Sequence, residues 1–333
     1  MTERVTVLGD GGWGTALAIV LADHGAEVTL WSHDAAYARE IASTRKNRKF
    51  LPGVEIPDTI HVVADLAQAV TQRDMLFSVV PTPFLRGVMQ NLKAHYPAGT
   101  PVVSATKGIE TDTLQRPSEI IRAVLGDVPI VVVSGPSHAE EVSRRMPTTV
   151  VAASEQTGAA LRVQDLLATE RFRVYTNPDT IGVEVGGALK NVVAIASGIV
   201  DGLGFGDNTK AALLTRGIVE ISRLGEALGG KRSTFFGLSG IGDLITSCIS
   251  QHGRNRAVGE RLGKGQKLEA ILGRMEMVAE GVKTAISVKR LAEKHKVEMP
   301  ICLEVYRVLF EGKDPALAVR HLMTRQLKEE VEW

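Results

Sequence analysis

Only two cysteines, Cys248 and Cys302, occur in 333 residues. That is too few for a disulfide framework or a cysteine-based zinc site, and it fits a reducing compartment. No charge of one sign dominates: 39 Lys and Arg stand against 38 Asp and Glu, for a net charge of +1. Such a balance offers nucleic acid no basic surface, and there is no acidic tail. No run of 18 apolar residues is found, so no membrane span is expected. The chain enters an apolar strand-like stretch, VTVLG, without a basic segment leading into a long apolar one, so no secretory leader is expected either. These absences predict a soluble cytoplasmic protein with no resident metal.

What is present is a globular composition, 44% hydrophobic and 23% charged, in a chain long enough for two domains. The first half alternates strands and helices. RVTVLG, AEVTLWS, DMLFSVVP, TPVVSATKG and PIVVVSGP are short apolar runs that end in Gly, Pro or Ser, and TTVVAAS and RFRVYTN add two more. Continuous apolar strands separated by helices predict a mostly parallel sheet covered on both faces. Beyond about residue 180 strands become scarce. Helices are expected over 181–200, 209–229, 255–263, 267–273, 284–296 and 301–310, joined by glycine-rich turns. NPDTIG, near 178–182, is the expected boundary between an α/β half, 1–180, and an all-helical half, 181–333.

The stretch VTVLGDGGWGTALA carries G-x-G-x-x-G as Gly9, Gly11 and Gly14, between an expected strand and an expected helix. In that context the first glycine allows the tight turn, the second lets backbone approach a pyrophosphate, and the third lets the helix pack on the strand. The helix N-terminus then offers N–H groups and partial positive charge to the anion. At the end of the second strand an acidic residue selects NAD and a basic one tolerates the 2′-phosphate of NADP. Here the sequence reads VTLWSHD. Asp34 either contacts the ribose or caps the next helix, and His33 precedes it. The mixed signal predicts use of both nicotinamide cofactors, leaning to NADP.

Dinucleotide folds place their chemistry at the carboxyl ends of the strands. Lys107 in SATKGIE and Gly135, Ser137 and Ala139 in VSGPSHAEE lie at two such ends. Lys107 can supply charge to an anionic or carbonyl substrate, or be a solvated loop lysine. Lys190 and Asn191 interrupt the long apolar run of GGALKNVVA. A buried ammonium has a lowered pKa and can donate and accept a proton near neutrality, whereas one at a helix end snorkels to water. Downstream, Asp243 can hold a lysine or a substrate hydroxyl. Arg254 and Asn255 can clamp a phosphate or form a solvated turn.

Taken in order, GDGGWGTALA, LWSHD, SATKGIE, VSGPSHAEE, FRVYTNPDTIGVEVGGALKNVVAIASGIVDGLGFGDN, TRGIVEISRLGEALGG, GLSGIGDLITSC, GRNR and EGVKT resemble the bacterial NAD(P)-dependent glycerol-3-phosphate dehydrogenases over nearly the whole chain. The resemblance implies a Rossmann-like N-terminal domain and an all-α C-terminal domain with the active site between them. It implies reversible reduction of dihydroxyacetone phosphate to sn-glycerol 3-phosphate by NADPH or NADH, for phospholipid synthesis. Lys190 matches the family's proton donor and acceptor. Lys107, which also matches a cofactor contact, Gly135, Ser137, Asp243, Arg254 and Asn255 match substrate positions. Gly12, Trp13, His33, Ala139, Arg254, Val278 and Glu280 match cofactor positions. Many members resemble SRN where this chain has GRN, so Gly253 would have to reach substrate through its backbone N–H. A homodimer is compatible with the helical half. The rivals are a β-hydroxyacid dehydrogenase, against which SATKGIE, SGPSHAEE and GDLITSC argue, and a non-catalytic dinucleotide-binding redox sensor. The sensor would need no convergence of Lys107, Lys190 and Asp243.

Overall fold

The structure, a computed structural model, describes residues 2–275, 277–327 and 329–330. Eight strands form one sheet in the order β3-β2-β1-β4-β5-β6-β7-β8. Their ranges are β1 Arg4–Leu8, β2 Glu27–Trp31, β3 Ile60–Val63, β4 Met75–Ser78, β5 Val102–Ser104, β6 Ile130–Ser134, β7 Thr148–Ala153 and β8 Phe172–Asn177. All pairs are parallel except β6 with β7.

Side-chain alternation divides the sheet between two cores. Val5, Val7, Val28, Leu30, Phe77 and Val103 pack on one face beneath the helices Gly12–His24 and Thr157–Leu167. Leu8, Leu76, Val102, Ile130 and Val132 pack on the other, against Thr82–Lys93 and Pro117–Leu125. Both faces are buried, which is why these strands read as unbroken apolar runs. The seven anticipated strands are present. The eighth, β3 (IHVV), was not anticipated: it is apolar at three of its four positions but short, and as an edge strand it buries only Ile60 fully.

After β8 the described chain is helical, with a third core of its own. The central helix, Thr180–Gly202, is buried along nearly its whole length. Asp179 caps it, accepting from Gly182 N at 2.8 Å. It has the length and mean hydropathy, 1.5, of a membrane-crossing helix, but that window is entirely buried inside the protein. The helices Asp207–Ala227, Arg254–Gly263, Glu280–His295 and Pro300–Phe310 pack around it. Four further helical segments, Arg232–Phe235, the π-helical Leu238–Gly242, Asp243–Ile249 and Pro315–Met323, fall where turns or nothing had been expected.

Candidate active site

The sheet order reverses between β1 and β4, and their carboxyl ends diverge there. The crevice so formed is roofed by the helical half and encloses about 790 Å³. Gly9, Gly11, Gly12, Trp13 and Gly14 line it from the turn after β1. Gly9 has φ +116°, and a Cβ on Gly14 would stand 1.9 Å from the Gly9 carbonyl oxygen, so strand and helix meet without a side chain between them. A Cβ on Gly11 would meet nothing within 4 Å. Gly11 also heads its helix with no side-chain cap. The turn therefore presents open backbone and uncapped helix N–H groups to the cavity, a fit to a dinucleotide pyrophosphate.

At the end of β2, His33 lines the cavity, and Asp34 turns away from that task. Its carboxylate accepts from Ala36 N at 2.9 Å and Tyr37 N at 3.0 Å, capping Ala35–Thr44. These bonds, led by that from Tyr37, hold its pKa below the ordinary carboxylate value. Of the two roles open to Asp34, the cap is the one observed.

The opposite end of the cavity holds the charged cluster. Lys190 and Asp243 are 6% and 2% exposed, so neither reaches bulk water. Lys190 donates to Asp243 Oδ1 at 2.8 Å and to Ser247 Oγ at 2.5 Å. Lys107 donates to Asp243 Oδ2 at 2.7 Å and to the Gly135 carbonyl at 3.0 Å. One carboxylate thus bridges two ammoniums, one from each half of the protein. Burial, with the nearby Lys107 charge, lowers the Lys190 pKa from 10.5 to about 8 against the opposing pull of Asp243. Burial would raise the Asp243 carboxyl, but the two ammoniums outweigh it and hold its pKa below the usual value. An ammonium has three N–H bonds. Each lysine commits two to the protein, leaving one for a ligand in the cavity that both line. Snorkelling, the alternative for Lys190, does not occur.

Ser137 and Ala139 line the same cavity, and the Ser137 hydroxyl donates to the Gly135 carbonyl at 2.9 Å. Gly135 itself stands behind the wall, with its carbonyl shared between Lys107 and Ser137. Gly253, Arg254 and Asn255 line the wall at the start of Arg254–Gly263, a helix with no side-chain cap. The Asn255 amide is partly committed: it donates to Asn191 Oδ1 at 2.9 Å and accepts from Gly281 N at 3.0 Å. One of its N–H bonds remains. The Gly253 N–H already donates to the Ser250 carbonyl at 3.2 Å, so it is not the free donor that was anticipated. A Cβ there would approach the Ser247 carbonyl oxygen to 2.9 Å, so glycine lets this backbone lie closer to Ser247 than a side chain would. Arg254 donates to the Val278 carbonyl at 3.1 Å. Glu280, also in the wall, accepts from Thr82 N at 3.3 Å, and burial raises its pKa.

Among the lining residues not singled out from the sequence as site residues, four stand toward the charged cluster. Ser247 is one helical turn beyond Asp243 and shares its face, a spacing that could have revealed it. Asn191 was noted as an oddity but given no role; it positions Asn255. His138 and His252 meet with ring centroids 6.0 Å apart. Burial, then the Lys190 charge, lowers the His138 pKa. No periodicity marks either histidine.

Against this geometry stand the likenesses to known proteins. The sequence pattern described as NAD-dependent glycerol-3-phosphate dehydrogenase N-terminus matches residues 4–160, and that described as its C-terminus matches residues 179–320. Glycerol-3-phosphate dehydrogenase [NAD(P)+] of Geobacter sulfurreducens is 51% identical over 99% of both chains. Its counterpart from Pelotomaculum thermopropionicum is 50% identical over 100% of this chain and 96% of the relative. The crystal structure of glycerol-3-phosphate dehydrogenase from Coxiella burnetii superposes with a TM-score of 0.94 at 38% identity, covering 97% of this chain and 99% of that one. D-mandelate dehydrogenase, at 14% identity and a TM-score of 0.63, shares the fold alone. The chain belongs to the NAD-dependent glycerol-3-phosphate dehydrogenase family.

Proposed function

We propose that this protein reversibly reduces dihydroxyacetone phosphate to sn-glycerol 3-phosphate with NADPH or NADH, for phospholipid synthesis, and that Lys190 is the proton donor and acceptor. The observation that carries the lysine assignment is its third valence. Protonated, Lys190 keeps Asp243 and Ser247 and still offers one N–H to a carbonyl oxygen. Deprotonated, it keeps both partners and offers a lone pair to a hydroxyl. A pKa of about 8 makes both forms accessible.

Residues 1–180 serve as the cofactor-binding domain and 181–333 as the substrate-binding domain. When bound, the nicotinamide cofactor supplies or takes the hydride. Gly9, Gly11, Gly12, Trp13 and Gly14 would cradle its pyrophosphate. His33, Ala139, Arg254, Val278 and Glu280 would flank the rest. Lys107 places its remaining N–H at the substrate, and Asp243 keeps the two ammoniums together. The uncapped helix at Arg254 and Asn255 receives the substrate phosphate. Ser137 and Gly135 hold the loop on which Lys107 rests. The buried free thiols Cys248 and Cys302 support a reducing, cytoplasmic setting.

The test follows oxidation of reduced nicotinamide with dihydroxyacetone phosphate. Lys190→Ala is expected to lose about 10²- to 10⁴-fold in kcat while still binding cofactor. Near-wild-type turnover in that variant would remove Lys190 from the mechanism. Cofactor binding without turnover by the unaltered protein would favour a sensor.

A further inference from the structure

The loop Asn47–Leu51 enters the cavity beside the glycine turn and brings Lys49 to its rim. Several contacts fix this loop. The Asn47 side chain, 1% exposed, donates to the Asp10 carbonyl at 2.6 Å and to Thr15 Oγ1 at 2.8 Å. It also accepts from Tyr37 Oη at 2.8 Å and Phe50 N at 3.0 Å. The Lys49 backbone N–H donates to Tyr37 Oη at 2.9 Å. Its ammonium stands 4.9 Å from the centre of the Phe50 ring, a cation–π arrangement. Lys49 is thus a positioned cation on a pinned loop, beside the turn that follows β1.

The other charges at this end are accounted for. Asp34 is committed to the first turn of its helix. The Asp10 carboxyl, whose pKa burial raises, accepts from Ser32 Oγ at 2.8 Å. His33 lines the cavity next to them. Asp34, with Oδ1 given to the helix cap, does not line the cavity, and with Asp10 bound to Ser32 the groups that line the adenosine end with donors to offer are an ammonium and an imidazole. Of the Lys and Arg residues that line the cavity, Lys107, Lys190 and Arg254 belong to the opposite end.

We propose that Lys49, assisted by His33, binds the 2′-phosphate of NADP(H) and sets the cofactor preference of this enzyme. The proposal rests on the reading above that the adenosine half of the cofactor lies at the end of β2. An ammonium held by an aromatic ring has donors free for phosphate oxygens, whereas a 2′-hydroxyl offers it no charge to meet.

The experiment titrates 2′,5′-ADP and 5′-AMP by calorimetry into the unaltered protein, K49A and K49R, alongside steady-state kinetics with NADPH and NADH. The unaltered protein is expected to bind 2′,5′-ADP more tightly than 5′-AMP. K49A should lower that preference, and the NADPH:NADH ratio of kcat/KM, by about tenfold. K49R should retain most of both. Equal losses for the two nucleotides, or an unchanged ratio, overturn the proposal. A protein that binds 2′,5′-ADP through Lys49 but does not reduce dihydroxyacetone phosphate would overturn the reaction assigned above while upholding this inference.

Discussion

Lys190 keeps Asp243 and Ser247 as partners in both protonation states, so its pKa should appear directly in the pH dependence of turnover. In the role proposed for Lys190, reduction needs the ammonium, so its rate is expected to fall as pH rises through about 8. Oxidation needs the free amine, so its rate should rise through the same range. Asp243 favours the charged lysine. Asp243→Asn is therefore expected to move both limbs to lower pH, besides slowing turnover. Stopped assays across the pH range in each direction check this, and a limb that stays near its original position would assign the titration to another group. Lys190 drew notice in the sequence because an ammonium inside an apolar run is costly to bury without a partner, and the structure finds it buried with Asp243 and Ser247 as partners. The role of Asp34 was not legible: an aspartate after a strand has the same appearance whether it meets a ribose or a helix N-terminus, and only the bonds to Ala36 and Tyr37 decide. Ser247 and His138 were missed because a serine in a helix and a histidine in a loop are common for many reasons.

Where the central helix crosses Arg254–Gly263, the contact is made by glycines. A Cβ on Gly198 would lie 1.9 Å from the Arg256 carbonyl oxygen, and one on Gly259 would lie 1.9 Å from that of Ile195. Gly202 and Gly263 continue the close approach one turn along. The obstructing atoms are backbone, so no rotamer change relieves the clash. This crossing fixes the start of Arg254–Gly263, and hence Asn255, against Asn191 and Lys190. Gly259→Ala is expected to destabilise the protein by about 1–3 kcal/mol or more and to raise KM for the phosphorylated substrate. Gly158, exposed in Thr157–Leu167 with nothing near its Cβ position, is the contrast. Gly158→Ala should be neutral or stabilising by up to about 1 kcal/mol. Thermal and denaturant unfolding measure both, and equal effects would mean that helix propensity, not the crossing, governs Gly259. Elements were legible where burial was two-sided, as in β1 and β6. Strand direction was not, since β6 and β7 are both apolar and only their pairing is antiparallel. The last long helix but one begins at Glu280 rather than 284 because Gly281, read as a turn, is there to let the helix touch the Asn191 carbonyl.

The site exists only while the two halves are held together, since Lys107 comes from one and Lys190 and Asp243 from the other. The periodic pattern announced both halves, but the pairing of residues 107, 190 and 243 across such separations left no trace in spacing; chemistry offered Asp243 as a partner for a lysine with a substrate hydroxyl as the alternative, and the structure shows it bridging both lysines. The halves are tied by Glu184 on the central helix, which accepts from Arg116 Nη1 at 2.6 Å, Ser118 N at 2.8 Å and Ser118 Oγ at 2.6 Å. Ser287 Oγ donates to the Ile109 carbonyl at 2.9 Å, and Arg290 Nη1 to the Thr111 carbonyl at 2.8 Å. Each half also has an apolar core drawn mostly from its own residues, with Ile109 crossing into the helical core and Val183 into the core under one sheet face, so most of the apolar burial of each half lies within it. Glu184 is 4% exposed, and its loss would leave the Arg116 guanidinium and a helix-terminal N–H short of partners in a dry interface. Breaking a buried pair from one side costs about 3–5 kcal/mol. Glu184→Ala should therefore separate a single calorimetric unfolding transition into two, with activity lost in the first. Glu184→Gln, which keeps an acceptor for Ser118, should lie between the variant and the natural protein. One unsplit transition at the natural temperature in Glu184→Ala would show that the lysine–aspartate bridge and the Ser287 and Arg290 contacts hold the halves together without it.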